Sequence, residues 1–169
     1  MNLETAYFVG AIVVGLGATL FMDLLALCLK WLFGIPLANY CLVGRWLRYM
    51  PEGTFRHPNI AAAAPRRFEC AVGWAAHYVL GAVYALVLVA FVSGSWFTRP
   101  TLLPALLFSL GSLLVPFLIM QPAFGLGVAA SRTQDPTRAR LRSLMAHTAF
   151  GVGVYVSAVG VSSVLRMFA

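Results

Sequence analysis

Two histidines, one aspartate and one glutamine sit inside stretches of the chain that hold almost nothing else polar. The histidines share a repeated pattern, Ala76-His77-x-x-x-Gly81 with Tyr84 beyond and Ala146-His147-x-x-x-Gly151 with Tyr155 beyond. The other two apolar runs contribute Met22-Asp23 and Met120-Gln121. An ionisable side chain at membrane depth is costly and normally has a partner or a task. Asp23 with a histidine has the makings of an ion pair and proton relay, because burial and pairing retune both groups. Asp23, His77 and His147, assisted by Gln121, are also types that ligate zinc or iron. His77 and His147 on facing helices are a possible axial pair for a b-type haem. Gly81 and Gly151 would leave room for its flat ring, although Asp23 and Gln121 would compete for that volume. The plainer alternative is hydrogen bonding between helices, worth about 0.6 kcal/mol per contact. In that case Gly15, Gly81 and Gly151 are close-packing points. Glu69, Gly73 and His77 are spaced by four, which sets Glu69 at the mouth of the same cluster with His57 in the loop nearby.

Four apolar runs must position these groups. They cover about 6–33, 70–97, 102–130 and 143–168, joined by loops at about 34–69 and 131–142 and a very short link near 98–101. The fold expected is all-α and integral to a membrane: four transmembrane helices as two tandem hairpins in a single domain. The composition requires lipid as solvent. Of 169 residues, 61% are hydrophobic and 10% charged, where a soluble domain carries about 25% charged. Counting about 1.5 Å per residue, Asp23 lies roughly 10 Å inside the first run's basic end. His77, Gln121 and His147 fall at overlapping depths in their own runs.

The first loop is rich in proline, with Pro36, Pro51, Pro58 and Pro65. Between the first two, Asn39 is a possible N-cap for a short helix reaching Met50. Val43, Trp46, Leu47 and Met50 would form its apolar face, with Arg45, Arg48 and Glu52 opposite, a pattern suited to the headgroup region. In the third run, Pro116 and Pro122 leave the carbonyls of Ser112 and Leu118 without their helical donors.

The net charge of +7 would suit nucleic acid, but its placement does not. Ten of the twelve basic residues lie in or beside the two long loops, leaving Arg99 and Arg166 on the other side. The positive-inside rule then predicts cytoplasmic loops and periplasmic termini in a bacterial inner membrane, with the lipid bilayer as partner and no nucleic acid. Glu4, the lack of early Lys or Arg, and a long first run argue against a cleaved signal. Cys28, Cys41 and Cys70 form no C-x-x-C pair and read as small apolar fillers in a reducing compartment. No nucleophile triad, P-loop or dinucleotide fingerprint appears, so the balance is against an enzyme.

The segments Gly15-Leu-Gly-Ala-Thr-Leu-Phe-Met-Asp23, Val43-Gly-Arg-Trp46 and Gly73-Trp-Ala-Ala-His77-Tyr78, with Gly81, open a longer pattern. Met120-Gln-Pro-Ala-Phe-Gly-Leu-Gly127, Ala129-Ala-Ser-Arg132 and His147-Thr-Ala-Phe-Gly-Val-Gly153 complete it. Together they resemble the bacterial integral-membrane family filed as domain-of-unknown-function family 2938. The resemblance covers nearly the whole chain and implies a small four-helix inner-membrane protein with no assigned activity. The order Met-Asp then Ala-His-x-x-x-Gly, repeated as Met-Gln then Ala-His-x-x-x-Gly, also suggests an internal duplication. Three functions follow as expectations. The first is ion, proton or small-solute handling by a homo-oligomer, since four helices rarely enclose a path alone. The second is a metal- or haem-binding redox protein, and the third an accessory subunit of a membrane complex.

Overall fold

The computed structural model describes residues 3–167. Among these the regular structure is entirely helical. Four stretches are long and apolar enough to cross a membrane: Glu4–Phe33, Glu69–Val92, Leu102–Ala123 and Pro136–Val164, with mean hydropathies of 2.3, 2.1, 2.3 and 1.5. Large apolar side chains face outward along them, including Trp31 at 78% and Phe91 at 79% exposure. Such a surface is stable against lipid tails and would aggregate in water.

Helix α1 (Leu3–Phe33) stops where Gly34 takes a φ of 67° and its N–H returns to the Lys30 carbonyl at 2.9 Å. This is a left-handed C-cap that glycine accommodates without strain, and Pro36 prevents resumption. Helix α2 (Tyr40–Tyr49) starts at the expected cap, the Asn39 side chain accepting the Cys41 N–H at 3.1 Å. A short 3₁₀ turn, Met50–Glu52, closes it. Helix α3 spans Glu69–Val92.

The third span is broken. Helix α4 (Leu102–Gly111) gives way to a turn, then a π-helical turn at Pro116–Met120 and the short α5 (Gln121–Ala123). The cause is proline chemistry: Pro116 has no N–H for the Ser112 carbonyl, which takes the Val115 N–H at 3.1 Å instead. The expected helix to residue 130 ends early because the chain turns at Gly125, with a φ of 86°. A side chain there would also press on the Pro58 carbonyl carbon, 2.5 Å from where a Cβ would stand. Helix α6 (Pro136–Met167) starts before the expected Ser143, with Pro in its first turn. The Asp135 carboxylate caps it, accepting the Arg138 N–H at 2.9 Å.

The chain divides into two compact units. The first comprises Met1–Pro36, Tyr78–Leu110 and Ala146–Ala169. Its core is Ala11, Val14, Ala18, Ala85, Leu88, Phe97, Phe150, Val154 and Ala158, and small residues bring its helices together. A Cβ on Gly15 would stand 2.5 Å from the Ala82 Cα, and one on Gly153 would stand 3.0 Å from the Ala18 Cα. Backbones this close gain dispersion contacts that larger residues would prevent.

The second unit comprises Leu37–His77 and Gly111–Met145. Ile60, Ala123 and Phe124 form its small apolar centre, flanked by Val43 and Trp46. In it α2 crosses α3 at Gly44 and Gly73, where a Cβ on Gly44 would lie 2.6 Å from the Gly73 nitrogen. This crossing corrects the expectation for the cysteines. Cys41 and Cys70 each stand three residues before a crossing glycine, their Cα atoms come within 3.9 Å, and they are joined by a disulfide. Cys28 is exposed and free.

Candidate functional site

The polar residues singled out above fall in both units. In the first unit, the Asp23 carboxylate accepts a hydrogen bond from the Tyr78 hydroxyl at 3.1 Å. Asp23 is half-buried and belongs to α1, while Tyr78 follows His77 directly on α3. His147 lies on α6, and its backbone carbonyl accepts the Ser109 hydroxyl at 2.5 Å. The glycines of the two Ala-His-x-x-x-Gly copies behave alike, each meeting the span before it. Gly81 packs against Gly15 and Thr19 of α1, and Gly151 against Leu106 and Ser109 of α4. Thr19 donates its hydroxyl back to the Gly15 carbonyl at 2.8 Å, which satisfies that side chain within the contact. Tyr84 sits edge-on to Phe108 and Phe150, as a packing residue.

In the second unit, His77 stacks on the Tyr40 ring with centroids 3.9 Å apart, and Trp74 approaches it edge-on at 5.8 Å. The α2–α3 crossing positions this trio: Tyr40 lies over Gly73, and His77 is one turn further along the same face. Gln121 is buried at 7% exposure, between Pro116 and Pro122 in the broken span. Its amide nitrogen reaches the Ser143 hydroxyl at 3.5 Å, whereas its amide oxygen has no hydrogen-bond partner. His57, likewise buried, packs its ring edge-on against Tyr49 and leaves Nε2 without a partner. Its backbone N–H holds the Ala123 carbonyl at 2.8 Å, fixing the loop to the end of the third span.

Glu69, expected at the mouth of a cluster, is instead engaged at both carboxylate oxygens by Arg45, each at 2.8 Å, and one oxygen also accepts the Arg66 N–H. Arg45 was expected on the polar face of α2. It is 9% exposed, and its Nη1 donates to the carbonyls of Ile60, Ala61 and Ala63. The hydrogen bond to Glu69 outweighs the cost of burial and holds the guanidinium above its ordinary pKa. Arg45 is thus the hub that folds the proline-rich loop onto α2 and α3. Sequence reasoning placed it outward because an arginine on an amphipathic helix usually faces solvent. The available signal was Glu69, the only acidic residue within several turns of the loop's end. The second missed feature, the disulfide, had a signal in the paired Cys41-x-x-Gly44 and Cys70-x-x-Gly73.

Among the described residues, no group of three or more His, Cys, Asp or Glu side chains is arranged to hold a metal. The room that a haem would need beside Gly81 and Gly151 is filled by Gly15 and Thr19 in one copy and by Leu106 and Ser109 in the other. The residues present do not fit a macrocycle there. What the arrangement offers chemically is a carboxylate paired with a phenol, a histidine between aromatic rings, and a buried amide oxygen lacking a donor.

One family model, described as a protein of unknown function (DUF2938), matches residues 12–161. Neither the search of curated proteins nor that of solved structures returned a match.

Proposed function

The chain belongs to the protein family of unknown function DUF2938, and on that footing we propose that it moves or senses protons or small cations within a bacterial inner membrane. The observation that carries this reading is the Gln121 amide oxygen, buried, without a donor, and set in the broken third span. An unsatisfied buried acceptor costs about 1–3 kcal/mol. A cation or a proton-bearing water would satisfy it. Irregular helical backbone within a span is also where membrane proteins commonly line ion paths. In this reading Asp23 is the proton- or cation-binding group, with the Tyr78 hydroxyl donating a hydrogen bond to it at 3.1 Å. His77 and His147 assist on their own spans. Glu69 belongs to the loop clamp and Gly15, Gly81 and Gly151 to helix packing. The spans form two tandem hairpins, and the working unit is a homo-oligomer.

The test is flux into proteoliposomes of the purified chain under a pH or cation gradient. Wild type is expected to exceed empty liposomes. Gln121→Leu and Asp23→Asn are each expected to lower flux about tenfold, as loss of one contact to a charged group would. Wild-type flux equal to background, or both variants matching wild type, overturns the reading.

A further inference from the structure

The second unit carries an open groove of about 360 Å³ that none of the groups above uses. Leu118, Ile119 and Ala123 of the third span line it, together with Trp46 of α2 and Phe55 and Arg56 of the loop. Three observations together say what would lie in it.

The first is fixity. Trp46 donates its indole N–H to the Phe55 carbonyl at 2.9 Å, and the next residue but one, His57, is tied to Ala123 at 2.8 Å. Arg56 is therefore held between two anchored neighbours, at the end of a membrane-length helix. On the membrane reading that is headgroup depth, where indole rings also settle. The second is apolar exposure: Phe55, Leu118 and Ile119 are 58%, 56% and 56% exposed, a surface suited to an acyl chain. The third is charge. Arg45 and Arg66 are neutralised by Glu69 and Glu52, whereas Arg56 has no hydrogen-bond or ion-pair partner among the described residues. The unit as a whole carries nine basic against three acidic side chains, so the ligand's head must be anionic.

We propose that this groove is a binding site for one anionic phospholipid, its phosphate on Arg56 and an acyl chain along Phe55, Leu118 and Ile119. The proposal is independent of ion handling. It would stand if no flux were found.

The experiment counts lipids retained by the full chain in detergent, by native mass spectrometry during titration with dioleoylphosphatidylglycerol or dioleoylphosphatidylcholine. Wild type is expected to hold one phosphatidylglycerol at least about fivefold more tightly than phosphatidylcholine. Arg56→Gln should abolish that preference, whereas Arg99→Gln, the same loss of charge in the other unit, should keep it. Ile119→Ser should weaken retention of both lipids. Arg56 and Ile119 are exposed, so both variants should keep the wild-type unfolding temperature. Equal retention of the two lipids by wild type, an equal effect of Arg56→Gln and Arg99→Gln, or unchanged retention in Ile119→Ser would each overturn the proposal.

Discussion

The two units of this molecule solve the same problem, holding helical segments together, with opposite materials. The first has three basic and two acidic side chains in all and joins its helices through small residues such as Gly15, Ala18, Gly81, Gly151 and Gly153. The second holds nine basic and three acidic side chains and is joined by a disulfide, an arginine bound to a carboxylate and three carbonyls, and side-chain caps at Asn39 and Asn59. The contrast is the one expected of helices apolar enough to cross a membrane and a polar loop beside them. In hydrocarbon there is no hydrophobic gain from helix contact, so packing must come from close backbones. In a polar loop broken by prolines, backbone carbonyls lack helical partners and need side-chain donors.

The comparison breaks most visibly at Arg45. Arg45→Met should cost about 3–5 kcal/mol, because it strands the Glu69 carboxylate in a site that is mostly buried. Hydrogen exchange should accelerate in residues 37–77 while the first unit keeps its protection. Simultaneous loss in both units would show that they are not separable. Reduction of Cys41–Cys70 should cost about 3.6 kcal/mol, the loop-closure value for a bridge of its span. The expected readout is a lower unfolding temperature in reductant, absent in Cys41→Ser. In the first unit, Gly15→Val forces a side chain onto the Ala82 backbone and should cost about 1–3 kcal/mol, whereas Gly160→Ala, which meets nothing within 4 Å, should be close to neutral. Similar unfolding temperatures for these two would undo the small-residue account. The smallest effect belongs to the α6 cap, where Asp135→Ala should cost about 1 kcal/mol and speed exchange only in the first turn of α6.

Hydropathy alone was enough to see an all-helical chain with four long apolar helices, because a membrane-length run has few alternatives. The Asn39 cap was legible for a similar reason: capping is settled within three residues. Arg45 was not, since its burial depends on Glu69, 24 positions away, and on carbonyls the proline-rich loop delivers. The disulfide escaped because the matching Cys41-x-x-Gly44 and Cys70-x-x-Gly73 become a pair only once α2 and α3 cross at those glycines. For the candidate residues, the types and runs were readable, but their immediate partners were not. Tyr78 beneath Asp23 and Tyr40 against His77 are tertiary choices.

The π-helical turn at Pro116–Met120 carries one more residue per turn than the helix around it, the Gln121 N–H reaching back five positions to the Pro116 carbonyl. An inserted residue of this kind turns everything after it by about 100° relative to an unbroken helix. The turn is therefore a register device: it decides which neighbour Gln121 addresses, and an uninterrupted 3.6-residue count from Leu102 would aim that amide elsewhere. Removing a single residue from the turn would re-aim the amide without changing any side chain's chemistry.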